Sequence, residues 1–187
     1  MSSHHVVKED QEPALLILNP NSILFEKVQE LLEWSPLVIV SATALEGVLR
    51  WGIKIDVLLT PDKGEEHNQV KIDQSPLHIL HYKEGQSELA AGLQFLWERK
   101  QLNVNALVSE PSHYFSVAAS YSEKISIVLL AGTFKWHFAA NGSYSKWLPS
   151  QTKLKIFSNN TVESVVSTET GLYKHEQVFP FWVGEEF

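Results

Sequence analysis

Between Leu15 and Ala131 the chain alternates short apolar runs with stretches of helical period, and no other feature restricts its fold so tightly. The apolar runs cover residues 15–18, 37–40, 56–59, 77–80, 105–108 and 125–130. Each is too short for a helix, and most are apolar at successive positions, as a strand covered on both faces must be. Between them, Leu24, Val28, Leu31 and Leu32 fall on one helical stripe. Leu45, Val48 and Leu49 form a second stripe, and Leu89, Leu93, Leu96 and Trp97 a third. Thr43 to Glu46 has the spacing of a capping box, and Ser87 is placed to cap the third helix. This alternation predicts an α/β fold, a parallel sheet flanked by helices.

After Gly132 the pattern changes. No helical stripe follows, and aromatics accumulate: Phe134, Trp136, Phe138, Tyr144, Trp147, Phe157, Tyr173, Phe179, Phe181 and Trp182. Phe134, Trp136 and Phe138 alternate, as do Leu154 and Ile156, which is strand period. Turn signals recur at Asn141-Gly142, Pro149-Ser150, Asn159-Asn160 and Thr170-Gly171. The expectation is an α/β domain over residues 13–131, followed directly by a smaller antiparallel β-sandwich domain over 132–187.

Composition removes several classes of function. The formal charge is −7 with no basic stripe, so a phosphate backbone would be repelled and nucleic acid is not an expected partner. The absence of cysteine excludes disulfides, thiolate metal sites and cysteine nucleophiles. No apolar run approaches the roughly 20 residues that span a bilayer, and residues 1–12 carry no apolar export signal. The expected location is the cytoplasm, without a membrane partner. Neither a GxxxxGK[ST] nor a GxGxxG loop occurs, and no histidine pair has zinc-helix spacing. Ser112, His113 and an acid would make a triad on paper, but the GxSxG elbow is missing. Ligands of open parallel sheets bind beyond the carboxyl ends of the strands. Those ends read Asn19-Pro-Asn21, Ser41-Ala-Thr43, Thr60-Pro-Asp-Lys-Gly64, Lys83-Glu-Gly-Gln-Ser-Glu88 and Ser109-Glu-Pro-Ser-His113.

Taken in order, these segments resemble the thiamine pyrophosphokinase family. The stretch from Val38 to Asp62 is similar in spacing to that family's Ala-Asp-Gly-Gly turn, helix and Gly-Asp-x-Asp-Ser loop. Ser87-Glu88 resembles its Thr-Asp, and Ser109 to His113 stands where it has Gly-Gly-Arg-x-Asp-His. Lys146-Trp-Leu-Pro149 and Phe181-Trp-Val-Gly-Glu185 resemble its β domain. The resemblance implies an enzyme that moves a diphosphoryl group from ATP to the hydroxyethyl oxygen of thiamine. It also implies Mg2+ and ATP as cofactors and a homodimer with thiamine at the subunit junction. Residue by residue, it places Asp62 and Glu88 in the catalytic and metal-binding roles. Ser41, Thr43, Lys63, Ser87, His113, Trp147 and Trp182 fall in the cofactor and ligand positions.

The departures from the family pattern are chemical. Ser41 stands where the first turn should carry a carboxylate, and Pro61 and Lys63 replace both acids of the second loop unless a gap lets Asp62 take one place. Mg2+ requires hard oxygen ligands, proline offers none, and lysine repels the ion. The expected function is therefore a thiamine pyrophosphokinase-like protein with impaired or absent transfer. The alternatives are an active enzyme with rearranged acids, and a dimeric scaffold binding neither ATP nor thiamine.

Overall fold

A computed structural model describes residues 12–61 and 67–187. The first half runs β1 (Ala14–Ile17), α1 (Phe25–Leu32), β2 (Val38–Ser41), α2 (Leu45–Leu49), β3 (Val57–Pro61), α3 (Asn68–Asp73) and β4 (His78–Tyr82). It continues with α4 (Glu88–Glu98), β5 (Asn103–Leu107), a 3-10 turn (Pro111–His113), α5 (Phe115–Tyr121) and β6 (Ser126–Ala131). Every apolar run named above forms a strand, and the six pair in parallel in the order β6-β5-β1-β2-β3-β4.

Both faces of this sheet are covered, which is why its inner strands β1, β2 and β3 are largely apolar, while the edge strand β4 carries exposed His78 and His81. On one face Leu16, Ile39, Leu59, Ala106 and Leu129 pack under α4 and α5. On the other, Leu15, Val38, Val40, Leu58 and Leu130 pack with Val28 of α1 and Leu45 and Val48 of α2. Local chemistry sets the helix starts, with two differences from expectation. Leu24 is the N-cap of α1 and is 72% exposed, not part of the buried stripe. The capping box before α2 does not form: Ala44 is the N-cap, without a side-chain bond, and the Thr43 hydroxyl is used elsewhere. Ser87 does cap α4, its Oγ accepting from the Ala90 N–H at 3.1 Å. The short helices α3 and α5 were not anticipated. The apolar residues of α3 make no stripe, and its Ile72 is 70% exposed.

The antiparallel region comprises β7 (Phe134–Ala139), β8 (Ser143–Leu148), β9 (Lys153–Ser158), β10 (Thr161–Val166), β11 (Gly171–Glu176) and β12 (Phe181–Glu186). Four of these strands extend the parallel sheet, giving the ten-strand order β10-β9-β12-β7-β6-β5-β1-β2-β3-β4. The join is a tight hairpin between β6 and β7 through Gly132-Thr133, with Gly132 at φ +60°, as a glycine-first hairpin turn requires. The separate pair β8–β11 forms the second layer of the sandwich, packing Leu148 with Leu154, Ile156, Phe181 and Val183. On the opposite face α5 reaches under the antiparallel strands. Its Phe115 lies 5.3 Å from Trp136, 4.7 Å from Phe157 and 4.6 Å from Trp182, ring centre to ring centre. Among the described residues no helix is long and apolar enough to cross a membrane.

Candidate functional site

The register of the parallel strands brings Ser41 of β2 level with Leu59 of β3, and Thr60 and Pro61 of β3 level with His81 and Tyr82 of β4. Side chains from the ends of β2 and β4 therefore converge on the start of α4, with the end of β3 between them. Ser41 is fully buried, and its Oγ lies 2.8 Å from the Thr43 Oγ1. It also accepts from the Ala44 N–H at 3.3 Å. The Thr43 hydroxyl donates to the Glu88 carboxylate, at 3.3 Å from Oε1 and 3.5 Å from Oε2. An ionised carboxylate only accepts, so the single Thr43 proton is spent there and Ser41 must donate to Thr43. From the other side the Tyr82 hydroxyl donates to Glu88 Oε1 at 3.3 Å. Burial, then the Glu88 charge, pushes the Tyr82 phenol up from its ordinary value. Glu88 is the first residue of α4, where the unpaired N–H groups of a helix favour an anion.

The structure thus gathers Ser41, Thr43, Ser87 and Glu88 of the expected site, and adds Tyr82. Tyr82 lies just beyond an apolar run, and its only sequence signal is a hydroxyl-bearing aromatic at a strand end. Thr60, at the end of β3, is 1% exposed, and its hydroxyl has no partner among the described residues. Asp62 and Lys63, expected on the loop after β3, lie outside the described residues. His113 is exposed at the end of the 3-10 turn after β5, with β1 between β5 and β2.

The two tryptophans separate. Trp147 is 67% exposed on the outer face of β8, opposite Leu172 of β11. Trp182 is 4% exposed, stacked on Phe115 and tilted against Phe138 at 5.0 Å. Its ring is part of the core that joins α5 to the sheet.

Among the described residues no group of three or more His, Asp or Glu side chains is placed to hold a metal ion. Glu88 is the carboxylate of the strand-end cluster, and it is already bonded to two hydroxyls. By themselves the described residues do not fit a resident Mg2+, which takes near-octahedral oxygen ligation with one or two carboxylates.

A second concentration of charge lies inside the sandwich, at residues that no motif or periodicity marks. Glu185 of β12 is 7% exposed and is bonded by Lys146 at 2.6 Å, by Lys135 at 3.3 Å and by the Tyr144 hydroxyl at 3.2 Å. Burial pushes its carboxyl up, but the two ammonium groups outweigh that and hold it below the usual carboxylate range. Burial pushes the Tyr144 phenol up, and the Glu185 charge adds to it. His137 of β7 shares this side of the sheet, with its Nε2 buried and without a partner among the described residues. Burial, with Lys146 and Lys135, pushes its imidazole down, opposed by Glu185.

No family model matches the sequence, and no curated protein does. Solved structures do. The chain is similar to yeast thiamin pyrophosphokinase with a TM-score of 0.70 at 6% identity, over 95% of this chain and 87% of that one. Against the thiamin pyrophosphokinase of Candida albicans the TM-score is 0.69 at 8% identity, over 96% and 90%. Against the thiamine pyrophosphokinase of Bacillus subtilis it is 0.62 at 13% identity, over 92% and 97%. At these identities the likeness is one of fold, and it extends over nearly the whole chain.

Proposed function

We propose that this chain, built on the thiamine pyrophosphokinase fold, is a thiamine pyrophosphokinase-like protein that keeps a small-molecule binding role while transfer of diphosphate from ATP to thiamine is impaired or absent. The observation that carries this reading is the bonding of Glu88. Its carboxylate accepts hydrogen bonds from the Thr43 and Tyr82 hydroxyls, and the Thr43 hydroxyl is in turn fixed by Ser41, the residue standing where the family resemblance puts an acid. The carboxylate keeps lone pairs free, but among the described residues no further acids gather with it to complete the oxygen ligation of Mg2+. Diphosphoryl transfer depends on a metal to neutralise the charge that develops on the phosphates. Losing one such electrostatic stabiliser costs about 10²–10³ in rate.

The ligand in this reading is thiamine or a related molecule, and the protein is a cytoplasmic homodimer. The dimer is supported by an apolar outer surface on and beside the β8–β11 layer: Trp147, Leu172, Val178 and Phe179 are 67%, 56%, 91% and 65% exposed.

Thermal unfolding with thiamine, thiamine diphosphate, ATP and Mg2+, singly and in combination, tests the reading. A ligand at 100 times its Kd stabilises by about 2.7 kcal/mol, a shift readily measured. The expected result is stabilisation by thiamine or its diphosphate without metal, and no AMP from ATP and thiamine. Metal-dependent stabilisation by ATP together with AMP release would make the protein a working kinase. No shift with any of them would leave a scaffold that binds neither substrate.

A further inference from the structure

A cavity of about 570 Å3 opens beside the carboxyl ends of β5 and β6, on the α5 face of the sheet. It is distinct from the Glu88 cluster, since β1 and β5 separate β2 from β6. Its walls are aromatic, formed by Phe115, Trp136 and Phe157, with Phe134 and Val162 completing them. Lys155 of β9 reaches into it and holds its Nζ 4.3 Å from the centre of the Phe134 ring.

The charge of Lys155 is what distinguishes this cavity. Other lysines of the antiparallel part of the sheet are neutralised: Lys135 by Glu185 and Lys153 by Glu186. Lys155 is half-buried and has no carboxylate partner among the described residues, only the face of an aromatic ring. Glu110 also lines the cavity, but its carboxylate is turned onto its own loop, accepting from the Ser112 N–H at 3.5 Å and the Ser112 hydroxyl at 3.1 Å. A partly desolvated ammonium in an apolar slot favours an anion that arrives with the ligand. The volume lies within the roughly 300–1,000 Å3 of small-molecule sites.

We infer that this cavity binds a flat aromatic molecule of one or two rings carrying an anionic group, with the ring against the aromatic walls and the anion on Lys155. The sign of that charge selects against a cationic ring without an anionic group, such as free thiamine, and the inference rests on the cavity's own lining and not on the function proposed above.

Isothermal titration of the full chain with 2-naphthoate and with 2-naphthylmethylammonium, the same rings with opposite charge, tests it. The anion is expected to bind about tenfold tighter or more, the ratio that one charge-assisted hydrogen bond supplies. Lys155→Met should bring the two probes to similar affinity, while Lys155→Arg should keep the preference. Val162→Trp, which fills the mouth, should weaken both. Unfolding curves of the variants establish that each is folded, and Lys155→Gln replaces any Met variant that is not. Equal affinity of the two probes for the unaltered protein, no binding of either, or 2-naphthoate binding unchanged in both neutral variants would overturn the inference.

Discussion

Glu185 and His137 show how single side chains on one sheet face make stability depend on pH. The imidazole of His137 is held below its ordinary value of 6.5, chiefly by burial. The unfolded chain therefore binds a proton at a higher pH than the folded one, and stability rises with pH across that window. Its contribution is present in full above pH 6.5 and is lost as pH falls toward the depressed folded value. Glu185, also depressed, acts lower: its contribution is present above its unfolded value of 4.5 and falls away as acid titrates the folded carboxyl. Urea midpoints measured at pH 7.5 and 5.5 should drop between the two, by at most about 1.4 kcal/mol per pH unit for the one histidine. His137→Gln should flatten that interval and leave the steeper loss below pH 4.5 in place. An unchanged slope in the variant would remove His137 from the account. None of this was legible in the sequence, because Lys135, His137, Lys146 and Glu185 come from three strands that meet only once the sandwich has closed. The hydroxyl cluster was more legible. Ser41, Thr43, Ser87 and Glu88 each sit at a strand end or helix start that periodicity located, whereas Tyr82 depended on the register of β4 against β3.

At the scale of the element, α4 carries Glu88 and is positioned by its own underside. Gly92 faces the sheet, and a Cβ there would lie 3.0 Å from Leu16 Cδ2 and 3.4 Å from Leu59 Cδ1. Gly92→Val should lift the helix from the sheet and cost about 1–3 kcal/mol, the usual range for overpacking, with Gly92→Ala milder. Chemical unfolding checks the order of the two, and a Val variant as stable as the parent would mean that α4 shifts without resistance. The start of α4 was readable because Ser87 has one use, its own N3 amide. Thr43 misled because it had two uses, and the tertiary one, Glu88, won over the local cap of α2. Helix α3 was unreadable because its apolar residues form no stripe, with Val70 partly buried and Ile72 exposed.

For the molecule as a whole, the strand inventory was clear in the sequence while the continuity of the sheet was not. Alternation over 134–138 marks a strand, but nothing local says that β7 pairs with β6 and not with a separate layer. The outer layer β8–β11 carries the proposed dimer surface, with Trp147 and Leu172 directly opposite each other. Leu172→Lys places a charge at the centre of that patch. Sedimentation velocity should show a dimer for the parent chain and a monomer for the variant, and a variant that stays dimeric would put the interface elsewhere.

The position of β12 has a consequence for how the protein is made. This strand, the last along the chain among those described, is inserted between β7 and β9, so the β9–β10 hairpin reaches the rest of the sheet only through it. An isolated two-stranded hairpin is marginal in water. A ribosome that has released everything up to β11 therefore holds an α/β half ready to collapse and a hairpin that lacks its neighbouring strand in the sheet. Completion of the sheet waits for β12 to emerge.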